Sequence, residues 1–279
     1  MVEAAIVTAI RARLTSALAL PRNPMRPLEV AGKTAGWLDA ARATRLSAFD
    51  DVFFVDDRAV GFCPALADAR SRTAALERVT RTLAQEGALT AWRDERYAVA
   101  PDFGAPPWFL LERAAARYFG VRTFAVHVNG LVDDGGKTLM WFARRSAAKS
   151  IDPGMLDNLV GGGISAEQTI AGTLVKEAWE EAGLGASLAS KAKPAGSVDI
   201  RRLQADGLQQ ETIFVHDLWL PAAFVPANQD GEAVAHRLVG LDEAARLIAN
   251  AGGPDVVTVD ASLVVQDCLR RHGALVARS

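Results

Sequence analysis

Cysteine is scarce in this chain: Cys63 and Cys268 are the two among 279 residues. They lie far apart and match no metal-ligand spacing, which argues against a disulfide framework or a thiolate metal site and leaves buried, reduced thiols as the expectation. An excess of charge of one sign is lacking too. A net charge of −2, from 31 basic and 33 acidic residues, leaves no electrostatic footprint for nucleic acid. No apolar run approaches the ~20 residues of a membrane span, and Arg11 and Arg13 fall where a signal peptide would be apolar. The expectations are therefore no nucleic acid, no membrane and a cytoplasmic location. Histidines number four. His127 and His216 sit in apolar strands and read as hydrogen-bonded structural groups, while His236 and His272 carry no pattern. Apolar residues, by contrast, make up 50% of the chain, enough for one large core or two smaller ones.

Acidic residues are concentrated where chemistry needs them. Leu156 to Gly163, LDNLVGGG, ends in a glycine triplet, and Thr169 to Leu184, TIAGTLVKEAWEEAGL, follows after a short spacer. At about 100° per residue, Glu177, Glu180 and Glu181 fall within one arc of a helix, with Ala171, Val175, Ala178, Trp179 and Ala182 over much of the rest. Like charges at this spacing cost a helix roughly 0.2–0.5 kcal/mol per pair, a cost that a dication among their oxygens relieves. Oxygen ligands of this kind suit Mg²⁺ or Mn²⁺. Gly183 sits where a helix C-terminus is expected, completing a loop-helix-loop unit.

These residues resemble the Nudix hydrolases. The family signature is G, five residues, E, seven residues, then R-E-U-x-E-E-x-G-U, with U aliphatic. Set on Gly162, it runs through Gln168 to Lys176, Glu177, Ala178, Trp179, Glu180, Glu181, Ala182, Gly183 and Leu184. Two positions depart from it: Gln168 stands where Glu is usual and Lys176 where Arg is usual. The resemblance implies that both serve as scaffolding, and Glu167, one position early, is expected to compensate in part. It also implies metal ligation by Glu177, Glu180 and Glu181 with a backbone carbonyl of Gly161 or Gly162, and a general base among Glu177, Glu211 and Glu232.

A narrower resemblance covers nearly the whole chain. LTAWRDERY (Leu89 to Tyr97), ERAA from Glu112, Phe119-Gly120, HVNG from His127, ARRS from Ala143 with Lys149, and DGE from Asp230 are similar to one Nudix subfamily. Its members carry an extra N-terminal domain and are in some eukaryotes associated with thiamine pyrophosphokinase. The subfamily commonly has Lys-Glu in the box, as here. The resemblance implies hydrolysis of thiamine diphosphate analogues, oxidised or damaged, to monophosphates. Hydrolysis of another nucleoside diphosphate derivative, or a non-catalytic ligand-binding module, stays open, as does a homodimer.

The expected architecture is α+β: a Nudix α/β/α sandwich with a mixed sheet over residues 120–279, preceded by a smaller, mostly helical domain over 1–119. Ile6, Ile10, Leu14 and Leu18 give a helix that Pro21-Arg22-Asn23-Pro24 stops, docked on the protein's own body. Helices are expected at Ala40 to Phe49, Ser71 to Glu86 and Trp108 to Tyr118. A strand pair is expected about Asp56-Asp57-Arg58. Hairpins are expected across residues 133–137 and Asp206-Gly207, and closing helices at Leu241 to Asn250 and Ser262 to His272. Arg144, Arg145 and Lys149 follow a strand and are candidates to grip phosphate, Arg by bidentate bonds. Trp108, Phe109 and Trp141 are candidates to stack on a ring, with core packing as the alternative.

Overall fold

The computed structural model describes residues 2–20 and 25–275, so the Pro21–Pro24 cluster expected to end the first helix lies outside the described residues. Helix α1 (Ala4–Ala17) turns Ile10 and Leu14 inward, as its spacing requires. Those two side chains join the apolar cluster of the C-terminal half, alongside Ala244, Ile248, Val265 and Leu269. The first helix thus docks on the second body, although it precedes the first in sequence.

The N-terminal domain is built from β1 (Arg26–Val30), β2 (Lys33–Leu38), α2 (Ala40–Leu46), β3 (Phe53–Val55), β4 (Val60–Phe62) and α3 (Ala69–Gln85), with β5 (Arg96–Val99) and β6 (Phe109–Glu112) as a separate antiparallel pair. The first four strands form a sheet in the order β2-β1-β4-β3, and α2 and α3 are capped by Asp39 and Asp68, whose carboxylates accept backbone N–H groups. The helix expected over Trp108 to Tyr118 is instead β6 followed by a single 3-10 turn at Arg113–Ala115. Alternation decided it: Phe109 and Leu111 point into the core with Leu76, Leu83 and Phe119, and their backbones pair with Val99 and Tyr97.

The C-terminal body holds β7 (Arg122–Asp134), β8 (Lys137–Arg145), β9 (Leu156–Asn158), β10 (Val160–Gly163), α4 (Ile170–Ala182), α5 (Ala186–Ala189), β11 (Lys193–Gln204), β12 (Gly207–Leu220), β13 (Ala233–Gly240), α6 (Leu241–Ala249) and α7 (Val259–Arg271). Its sheet runs β11-β12-β7-β8-β13, mixed because β12 pairs with β7 in parallel, and β10 lies against the first half of β7. Alternation along β7 separates two faces. Phe124, Val126 and Val128 pack with Leu174 and Ala178 of α4, whereas Ala125 clusters with Val264 of α7 and Leu131 with α1, α6 and α7. The result is an α/β/α sandwich, as the sequence leads one to expect, with both hairpins in place.

Candidate active site

Helix α4 starts where its chemistry says it should. Thr169 caps it by accepting the Gly172 N–H at 3.0 Å. Gly183 ends it in the left-handed region at φ 65°, and a side chain there would meet the Ala227 carbonyl at 2.7 Å. Between these caps the acidic face lies along β10. The Gly161 N–H donates to Glu181 Oε2 at 2.8 Å. A Cβ at Gly162 would sit 2.4 Å from Glu177 Cδ, so the missing side chain is the space the carboxylate occupies. The glycine strand and the acidic helix are thus a single fitting.

Two of these acids are held out of water. Burial pushes the Glu181 carboxyl well above the carboxylate range; the Gly161 N–H works against this, and the charges of Asp157 and Glu177 add to it. Burial also raises Glu177, opposed by Lys176. Lys176 contacts Glu177 at 3.1 Å and Glu180 at 2.7 Å. These contacts to the two acids outweigh its own desolvation and raise its pKa. Carboxyl oxygens along one face of α4, two of the three groups raised by burial, are the hard ligands a dication takes, and Glu177, Glu180 and Glu181 with the Gly161–Gly162 backbone would hold it.

The acids border a cleft of about 350 Å³ between the two domains. Lys149, Arg145, Asp230 and Glu232 form one rim, and Lys149 and Glu232 are ion-paired. The facing wall comes from the N-terminal domain: Arg93 approaches Glu232 at 3.6 Å, Arg113 pairs with Glu95 at 2.7 Å, and Tyr97 lies under Gly163. The inner end is floored by Thr123, Ala125 and His127 of β7 and Gln209 and Glu211 of β12, with Asp260 from the first turn of α7. Glu211 accepts from Thr123 Oγ1 at 3.0 Å and from Gln209 at 3.2 Å. Burial and the neighbouring Asp260 raise its pKa.

Most of the residues singled out in the sequence come together here: Gly161, Gly162, Glu177, Glu180, Arg145, Lys149, Glu211 and Glu232 line the cleft, and Glu181 lies behind Gly161. Arg144 does not. Its guanidinium bonds the carbonyls of Gly154 and Pro254 and pairs with Asp255, because neighbours on a strand point to opposite faces. Arg145 is in the cleft but engaged, donating to Asp157 and to the carbonyls of Ile151 and Asp152. Glu167 is exposed and does not line the cleft. Trp108, Phe109 and Trp141 belong to the cores. The sequence reading missed the roles of Arg93, Tyr97, Arg113 and Asp260 as cleft wall. It also missed His236, whose Nε2 donates to the Glu181 carbonyl at 3.1 Å; the cue for the first three was the LTAWRDERY and ERAA runs.

Acidic helix, glycine strand and basic side chains on such a sandwich point to a hydrolase of phosphoanhydrides. Residues 122–258 match the NUDIX domain, and residues 7–123 match a domain of unknown function, DUF4743. The chain is 36% identical over 258 residues to Nudix hydrolase 20, chloroplastic, of Arabidopsis thaliana, covering 88% of this chain and 68% of that protein. Nudix hydrolase 24, chloroplastic, of the same plant is 36% identical over 251 residues, covering 89% and 68%. Among solved structures, the NUDIX domain of Shewanella oneidensis NrtR complexed with ADP ribose aligns with 55% of this chain and 90% of its own, at 10% identity and TM-score 0.43. The chain belongs to the Nudix hydrolase family, whose members act on diphosphate bonds and generally use divalent metal ions, usually Mg²⁺.

Proposed function

We propose that this chain hydrolyses the diphosphate of a small organic substrate to the monophosphate, with thiamine diphosphate analogues, oxidised or damaged, as the substrate class. The observation that carries the reading is the fitting of Glu177 and Glu181 against Gly162 and Gly161, which sets two buried carboxyl groups beside a cleft of about 350 Å³. The resemblance of the segments that form the cleft wall supports the thiamine-type substrate.

A diphosphate resists attack because its anionic oxygens repel a nucleophile. A bound divalent ion supplies charge neutralisation and an acidified water. The chain's own residues do the rest. Lys149 and Arg93, on opposite walls and both paired to Glu232, can exchange that partner for phosphate oxygens. Lys176, between Glu177 and Glu180, can do the same at the metal end. Glu211 and Glu232 both line the cleft and are the candidates to take the proton of water. Lys149 and Arg93 hold Glu232 below its usual pKa against its burial, so it is ionised at neutral pH, as a base must be.

The test is incubation of pure protein and Mg²⁺ with oxothiamine diphosphate, thiamine diphosphate, ADP-ribose and nucleoside triphosphates. The thiamine-type compounds are expected to be the best substrates, and Glu181→Gln to lower turnover by ~10²-fold. Turnover of the nucleotides alone would move the assignment to that class, and no turnover of any compound would favour a ligand-binding module.

A further inference from the structure

Tyr97 ends in a hydroxyl that its packing does not explain. The ring belongs to the apolar cluster of the N-terminal domain, with Phe109 and Leu111, and the residue is 6% exposed. Phenylalanine would fill that place equally. A buried tyrosine O–H ordinarily finds an acceptor. Among the described residues the Tyr97 hydroxyl has none, yet it is not sealed in, because the residue lines the cleft.

Two fixtures hold that hydroxyl in place. The Ala166 N–H, on the loop leading from β10 to α4, donates to the Arg96 carbonyl at 2.8 Å and so ties β5 to the exit of the glycine strand. Gly163 then leaves the room: a Cβ there would meet Tyr97 Oη at 2.1 Å. A side chain at position 163 and a hydroxyl at 97 exclude each other. The third glycine of the run thus accommodates the neighbouring domain, as Gly162 accommodates Glu177.

The surroundings select the acceptor. The Arg113 guanidinium lies over the Tyr97 ring, 5.9 Å from its centroid, and adds positive charge beside the hydroxyl. The carboxylates of the cleft take other donors: Glu95 from Arg113, Glu177 from Lys176, and Glu211 from Thr123 and Gln209. Gly163 follows directly on Gly161 and Gly162, whose backbone would help to hold the dication, so a donor resting on it stands at the phosphate end of the cleft. An ionised phosphate oxygen is the strong acceptor that belongs there.

We propose that Tyr97 is a substrate-binding residue whose hydroxyl donates to an oxygen of the diphosphate, a phosphate contact that the N-terminal domain brings to the box of the C-terminal one. The proposal rests on the reading of the cleft as a site for an organic diphosphate.

Tyr97→Phe in the full chain tests it, since the variant loses the hydroxyl and keeps the ring. With no internal partner lost, its Tm should stay within about 3 °C of the wild type; a larger fall would show the hydroxyl to be structural and overturn the proposal. Binding is measured by calorimetry in Mg²⁺, first with methylenediphosphonate, which has the phosphates and no ring, then with the methylene-bridged, non-hydrolysable analogue of thiamine diphosphate. Both should bind the variant about 10-fold more weakly, while Mn²⁺ alone binds it as it binds the wild type. Unchanged affinity for methylenediphosphonate, a loss confined to the ring-bearing compound, weakened Mn²⁺ binding, or binding of neither compound by the wild type overturns the proposal. The expected loss of affinity in a protein that turns over no hydrolysable diphosphate strikes the hydrolase reading alone.

Discussion

Replacing Gly162 by alanine tests the fitting of strand to helix directly. The new methyl would lie 2.4 Å from Glu177 Cδ, 2.5 Å from Cγ and 2.8 Å from Oε1. Carbon atoms in contact sit about 3.5–4.0 Å apart, so the carboxylate must retreat by roughly 1 Å. Backbone strain is not involved, since Gly162 is outside the positive-φ glycines. The displaced atoms are the end of a flexible side chain, so the stability loss is expected at the low end of overpacking costs, about 1 kcal/mol. A misplacement of that size at a ligand is expected to lower kcat by about 10²-fold, or ~2.7 kcal/mol in the barrier. Phosphate release under saturating Mg²⁺, with calorimetric Tm and Mn²⁺ titration alongside, separates the two effects. Gly163→Ala is the contrast: its methyl would meet the hydroxyl of the buried, rigid Tyr97 at 2.1 Å, so it should cost stability first. Undiminished turnover in Gly162→Ala would refute the account of Glu177 as a ligand seated in the glycine's space.

Glu181→Gln should also change the pH dependence of stability. Because folding raises the Glu181 carboxyl, its contribution is intact below the ordinary carboxylate pKa and is lost as pH rises through the folded value. In EDTA the Tm of the glutamine variant should exceed that of the wild type by a margin that widens from acid to neutral pH; a narrowing margin contradicts the burial argument. Arg144→Ala should leave kcat/KM within about threefold and cost about 1–2 kcal/mol of stability through lost bonds to Asp255 and two carbonyls, read by urea unfolding. Lys149→Ala and Arg93→Ala should each raise KM for the diphosphate by about 10-fold, and unchanged KM in both would remove them from phosphate binding.

The acidic helix was legible because its signals are local. A capping threonine, an acidic face and a left-handed glycine within one short stretch need no distant partner to be read. Arg144 and Arg145 look alike in sequence and part company only in space, where Asp255 captures one and Asp157 the other. The strands β9 and β10 escaped notice because three or four residues with a glycine run carry no period. The stretch from Trp108 defeated the reading differently: four residues of apolar pattern fit a helix or a strand equally, and pairing with Tyr97 and Val99 settled it. The cleft wall was least legible, since Arg93, Tyr97 and Arg113 acquire meaning only when one domain leans on the other.

That wall divides the labour between chain segments that can change separately. The box helix and its glycines carry the proposed phosphorus chemistry, whereas residues within 90–97 and 113–117 line the cleft from a different scaffold. Exchanging those two segments between relatives should redirect which compound is accepted while leaving the bond-breaking step as it is, which makes the leading domain the natural place to engineer selectivity.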